Sequence, residues 1–136
     1  MLLVDTNVLV DVFQDDPDWA DWSIGQLRAQ ARIHQLAING IVYAELSAAF
    51  VRYEELDDAV SRLGLALLDI PRPALFLAGK AFVRYRKSGG GKSSVLPEFL
   101  IGAHAAVEQL PLLTRDARRY RSYFPGVRLL APRSVR

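Results

Sequence analysis

The chain opens MLLVDTNVLVD, Met1 to Asp11, and this stretch decides how the rest is read. Met1–Val4 is a short, wholly apolar run that breaks at Asp5-Thr6-Asn7. An apolar run without polar alternation reads as a strand buried on both faces, and the polar triplet after it as the passage into a helix. Asp5 therefore falls at the carboxyl tip of the first strand. Strands of this kind belong to parallel sheets covered on both sides by helices.

The same pattern recurs along the chain. Val8–Phe13 reads as a first helix, and Asp15-Asp16-Pro17-Asp18 as a turn and a new helix start with proline at an early position. The helix after that turn, through about Ala31, offers Trp19, Trp22, Ile24 and Leu27 for burial. Leu36–Ile38 is a second strand, closed by Asn39-Gly40. Ile41–Tyr53 then reads as one helix with Val42, Leu46, Ala49 and Phe50 at helical spacing. Glu54–Leu65 reads as another, with acids near its start where the helix dipole favours them. Leu67–Ile70, Leu112–Thr114 and Val127–Leu130 complete the strands; Ala74–Arg86 and Pro97 to about Gln109 complete the helices. No repeat, linker or low-complexity segment divides the chain. The expectation is one α/β domain over residues 1–136, a three-layer α/β/α sandwich around a mostly parallel sheet of four to five strands.

Composition narrows the function. No apolar run approaches the about 20 residues of a membrane span. The N-terminus lacks the basic flank and long apolar core of a signal peptide, so a cytoplasmic protein is expected. The absence of cysteine excludes disulfides, thiolate zinc sites and cysteine nucleophiles. The net charge of +2 hides an asymmetry: from Arg115 to Arg136 seven arginines face a single acid, Asp116. A basic end on an otherwise acidic chain fits contact with a polyanion. A solvated, arginine-rich tail fits it as well.

One segment imitates a nucleotide-binding loop. SGGGKSSVLPEFLI, Ser88 to Ile101, contains Gly91-Lys92-Ser93, the second half of a P-loop. The motif requires its first glycine at position 86, which is Arg86, and it must follow a strand rather than a helix. Spacing and context both fail. The segment reads as a glycine linker between two helices, able to present Lys92 to a phosphate.

In open parallel sheets the ligand site lies beyond the carboxyl ends of the strands, and four acids fall there. Asp5 ends the first strand, and Asp116 lies just past the fourth. Glu45 is placed near the start of the helix after the second strand, and Glu98 in the first turn of its helix behind Pro97. Each alone suits a cap or a surface acid. Four at one edge repel and raise one another's pKa, and a divalent cation resolves that repulsion. Oxygen-only donors favour Mg²⁺ or Mn²⁺ over zinc, and such an ion can activate water and stabilise charge on a phosphodiester. His34 and His104 form no ligand pair and read as structural.

Together MLLVDTNVLVD, VYAEL, LPEFLIGAHA and LLTRDARRYRSYFP resemble a PIN-domain protein of the VapC toxin type, in the right order over nearly the whole chain. The resemblance implies a Mg²⁺- or Mn²⁺-dependent endoribonuclease, frequent homodimers and a VapB-like antitoxin that blocks the site. It assigns acidic positions to Asp5, Glu45 and Asp116, and supporting roles to Asn7 and to Thr114. Where the family has aspartate in Leu-Pro-Asp, this chain has Glu98, whose carboxylate reaches roughly 1.5 Å further. On this reading Asp5 and Glu98 take the primary metal, with Glu45 and Asp116 completing the cluster. Arg115, Arg118, Arg119, Arg121 and Lys92 offset RNA phosphates, and Tyr120 or Tyr123 stacks on bases. A catalytically weakened PIN fold acting through its partner or dimer interface is the alternative. A phosphotransfer fold is disfavoured, because Asn7 stands where a dehalogenase needs its second aspartate.

Overall fold

The computed structural model describes residues 1–133; the last part of the basic segment, with Arg136, lies outside them. Five strands, β1 (Leu2–Val4), β2 (Leu36–Asn39), β3 (Ala66–Leu68), β4 (Leu112–Leu113) and β5 (Leu129–Leu130), form one sheet in the order β3-β2-β1-β4-β5. All four pairings are parallel, as the apolar runs require. Leu2, Leu3 and Val4 are each fully buried. Since successive strand side chains point to opposite faces, both faces of the sheet are covered.

The covering helices are α1 (Thr6–Phe13), α2 (Ala20–Ala31), α3 (Gly40–Leu46), α4 (Tyr53–Arg62), α5 (Arg72–Lys87), α6 (Leu96–Glu108) and α7 (Arg118–Tyr123). The chain leaves β1 to build β2 and β3 on one side, then returns to add β4 and β5 on the other. The strand order thus reverses between β1 and β4, where an open α/β sheet leaves a crevice at its carboxyl edge. None of the helices among the described residues is long and apolar enough to cross a membrane.

Several local readings need correction. The single helix expected over Ile41–Tyr53 is broken: α3 ends at Leu46, a 3₁₀ turn covers Ser47–Ala49, and Phe50 and Arg52 are extended. The Phe50 ring sits edge-on to Phe13 at 5.2 Å, so a contact with α1 prevails over helical periodicity. Glu45 is consequently in the last turn of a seven-residue helix, not near its start. Pro17 stands outside α2. The turn before that helix is held by Asp16, whose Oδ1 accepts the Asp18 and Trp19 N–H groups at 2.9 Å each. Of the four residues expected on the buried face of α2, Leu27 is buried, whereas Trp19, Trp22 and Ile24 are half-buried. β3 begins one residue earlier than expected and α1 starts at Thr6.

Helix α7 has no counterpart in the sequence reading, and it shapes the site. A Cβ on Gly102 would lie 2.5 Å from Phe124 and 3.0 Å from Tyr120. Glycine on α6 therefore lets α7 close in, and that approach carries Tyr120 down toward the end of β1.

Candidate active site

Asp5 is the anchor. Its backbone N–H donates to the Leu113 carbonyl of β4 at 2.9 Å, and its side chain caps α1, with Oδ1 accepting the Thr6 N–H at 2.8 Å. The second oxygen, Oδ2, accepts from the Thr114 hydroxyl at 2.8 Å, the Tyr120 hydroxyl at 2.9 Å and, more weakly, the Asn7 amide at 3.5 Å. The residue is 6% exposed. Burial pushes its pKa up to about 6, against the opposing pull of those donors, and the nearby Glu98 charge raises it a little further. The same burial, with the Asp5 charge beside it, drives the Tyr120 hydroxyl well above its ordinary value. Tyr120 thus stays protonated and donates.

Asn7 and Thr114 brace this corner. Asn7 donates to Thr114 Oγ1 at 3.3 Å, and its Oδ1 accepts the Arg115 N–H at 3.3 Å. The Asp116 N–H returns to Thr114 Oγ1 at 3.1 Å. The start of α1 and the turn after β4 are in this way tied across the sheet crevice.

Asp5, Glu45, Glu98 and Asp116 all line one cavity of about 300 Å³, together with Thr6, Asn7 and Arg115. Four separate segments of chain contribute one carboxylate each. Besides Asp5, two of these acids have partners. Glu45 Oε1 accepts the Thr6 hydroxyl at 2.7 Å, and Glu98 Oε1 accepts from Arg119 Nη1 at 2.7 Å. Among the described residues no three His, Asp or Glu side chains are placed together so as to hold a metal ion as they stand.

The profile of the PIN domain matches residues 2–124. The chain belongs to the PIN domain family. The fold of this PIN domain is similar to that of a chain of VapBC2 from Rickettsia felis, solved bound to a DNA fragment from their promoter (21% identity, TM-score 0.73, covering 97% of this chain and 98% of that one). It is also similar to a chain of DNA-bound VapBC from Salmonella typhimurium (20% identity, TM-score 0.70, coverage 96% and 98%). A chain of FitAcB from Neisseria gonorrhoeae gives 18% identity and a TM-score of 0.65, with coverage of 95% and 96%. No curated protein matches in sequence.

The donor set of this PIN domain suits a hard divalent cation. It is made of oxygens alone. His104, buried on α6, faces away from it and meets Asn39 Nδ2 through Nδ1 at 3.1 Å. A cation would offset the cost of keeping Asp5 charged in its buried place, which is the imbalance that the raised pKa expresses.

The glycine loop has a defined seat in the PIN domain. The Lys92 backbone N–H donates to the Tyr85 hydroxyl at 3.1 Å, and a Cβ on Gly90 would collide with the Tyr85 ring. The loop folds onto the tyrosine only because Gly90 has no side chain. Lys92 then lines a cavity of about 440 Å³ with Tyr85, Glu98, Asp116, Arg118 and Arg119. Tyr123 lines it too, packed at 5.0 Å on Phe99.

One expected role does not survive the geometry, and a second is constrained by it. Tyr120 is 2% exposed and its hydroxyl serves Asp5, so it offers no face to a base. Arg115 is held by Asp11, Nε to Oδ2 at 2.8 Å, with its guanidinium over the Trp19 ring at 5.5 Å. Sequence reasoning missed Asp11, Thr6 and Tyr85. For Asp11 a signal was present: an acid within the apolar run VLVDVF is a buried charge that needs a partner.

Proposed function

We propose that the whole chain is one metal-dependent endoribonuclease domain, the toxin of a VapBC-type toxin–antitoxin pair. It would act in the cytoplasm as a homodimer, restrained by a small VapB-like antitoxin. The observation that carries this reading is the meeting of Asp5, Glu45, Glu98 and Asp116 in one cavity at the β1/β4 crevice, with Lys92, Arg118 and Arg119 on its flank. The fold shared with chains of the VapBC and FitAcB structures supports the choice of partner.

Asp5, Glu45, Glu98 and Asp116 would hold Mg²⁺ or Mn²⁺, an ion that supplies Lewis acidity toward a phosphodiester and lowers the pKa of water. The remaining work belongs to the chain. Tyr120, Thr114 and the Thr6 N–H fix the direction of the Asp5 carboxylate, so little reorganisation is needed as charge develops. Asn7 keeps the turn after β4 in register with α1. Lys92, Arg118 and Arg119 offset the repulsion between an acidic pocket and the RNA backbone.

The direct test is cleavage of RNA by the purified chain with and without Mg²⁺ or Mn²⁺. Activity that needs the ion and disappears in Asp5→Asn is expected; RNA left intact under all conditions sinks the reading. A second reading, a PIN fold that binds without cutting, draws on the Glu98–Arg119 pair, which already engages one of the four acids. Under that reading the product of the neighbouring reading frame co-purifies with the chain while RNA stays whole.

A further inference from the structure

A second cationic cavity, of about 310 Å³, opens at Asp116, lined by Trp19, Arg115, Arg118, Arg121 and Arg133 among others. Helix α7 stands between it and the glycine-loop cavity. Arg119, Ser122 and Tyr123, spaced i, i+3, i+4, line the loop side, Arg121 lines the other, and Arg118 borders both. Asp116 belongs to both cavities and to the acidic one. The acidic centre therefore has a basic recess on each side of α7.

We infer that this recess is a second RNA subsite, taking a phosphate among Arg118, Arg121 and Arg133 with the nucleoside against Trp19; the inference rests on the nuclease reading above. Four arginines around one aspartate repel one another, an arrangement that a polyanion relieves. Among the described residues only Arg115 of the four forms an ion pair with an acid, so the other three keep their donors for a ligand. The wall is fixed before any ligand arrives. Arg115 is clamped by the buried Asp11, and the Trp19 backbone by Asp16, which reduces the ordering cost of binding. The Arg115 guanidinium lies over one side of the Trp19 indole at 5.5 Å, so a nucleoside would meet the indole beside that contact. Such a pairing of aromatic ring and arginine holds single-stranded nucleic acid through stacking and charge together. Position adds to this: a strand crossing the acidic cavity beside Lys92 enters the recess once it passes Asp116.

The test uses the full-length chain and a set of RNAs sharing one cleavage site, lengthened one nucleotide at a time on either side. The double variant Arg121→Ala/Arg133→Ala removes two exposed side chains outside the acidic centre. The parent should gain from extension on both sides. The variant should lose the gain on one side only, through a KM raised about tenfold at unchanged kcat. Its log KM should also depend less steeply on log salt, by about 0.7 for each phosphate that is no longer neutralised. If the parent cleaves and the variant keeps both gains and the full salt slope, the subsite is refuted while the nuclease reading stands. If the parent cleaves no RNA, both fall. RNA kinetics like the parent's, with weakened binding of poly-glutamate, would assign the recess to an acidic protein segment and overturn the inference.

Discussion

The Arg119 guanidinium donates to Glu98 at 2.7 Å, tying the acid of the Leu-Pro-Glu segment to a cation of its own chain. Glutamate reaches across to α7 in a way that the shorter aspartate does not. The pair is about a third exposed on both sides, which limits its worth to about 1 kcal/mol. Arg119→Gln should release Glu98 and tighten Mn²⁺ binding by up to about fivefold, while raising the KM for RNA. Calorimetric titration with Mn²⁺ checks the first half; weaker binding would mean that Arg119 supports the metal site instead of competing with it.

Replacing Glu98 by aspartate probes the same contact from the other end. The carboxylate retreats by roughly 1.5 Å and moves out of reach of Arg119. Magnesium tolerates misplaced ligands poorly, so Glu98→Asp should change the ratio of cleavage rates in Mg²⁺ and Mn²⁺. Equal ratios and equal affinities in the two proteins would show that the extra methylene is of no consequence.

Asp5 makes stability depend on pH. Its folded pKa of about 6 lies above the ordinary 3.8, so the folded state holds the proton more tightly than the unfolded one. The associated stability is complete below pH about 4 and is lost as pH rises through about 6. By pH 7.5 the buried charge costs about 3 kcal/mol. The Tm of the metal-free parent should therefore fall between pH 4 and pH 7.5 more steeply than that of Asp5→Asn, which carries no proton to titrate there and should abolish cleavage. Equal pH dependence of Tm in the two proteins would contradict this account of the site.

The glycine loop should be sensitive to a single methyl group. Gly90→Ala drives a Cβ into the Tyr85 ring, lifting the loop and breaking the Lys92–Tyr85 hydrogen bond. The expected result is a KM for RNA raised about fivefold with kcat held. Tyr85→Phe, which removes only the hydroxyl, should show a smaller rise in the same direction. Unchanged KM in both would place Lys92 outside the substrate path.

Arg115 should behave as a structural residue where Arg118 does not. Asp11 has 2% of its side chain exposed and keeps only Ser23 at 3.0 Å once the arginine is gone. Leaving that charge unpaired should destabilise Arg115→Ala by about 3 kcal/mol in denaturant unfolding. Arg118 is exposed, and Arg118→Ala should stay within about 0.5 kcal/mol of the parent.

Much of this architecture was legible in the chain. The short, unbroken apolar runs of β1, β2 and β4 read as strands buried on both faces, and the tip rule then drew Asp5 and Asp116 to one edge. What escaped had tertiary causes. The break after Leu46 depends on Phe50 finding Phe13, a contact 37 residues away in sequence that no local pattern encodes. Helix α7 is six residues of arginine, tyrosine and serine with little periodicity, and it is seated by the missing side chain of Gly102. Tyr120 looked like a surface aromatic because nothing around it in sequence shows that its hydroxyl meets Asp5 across 115 positions. The glycine loop follows helix α5, as the sequence reading had it, but its attachment to Tyr85 required the folded chain.

The central claim is that the cavity around Asp5 holds the ion that makes this chain a nuclease, and one titration tests it most directly. Mn²⁺ occupancy and the rate of RNA cleavage are followed in the same samples as the ion is added, for the parent and for Asp5→Asn. The two curves should superimpose in the parent, and both should be absent from the variant. Cleavage that persists in excess chelator, or that survives in Asp5→Asn, would contradict the claim.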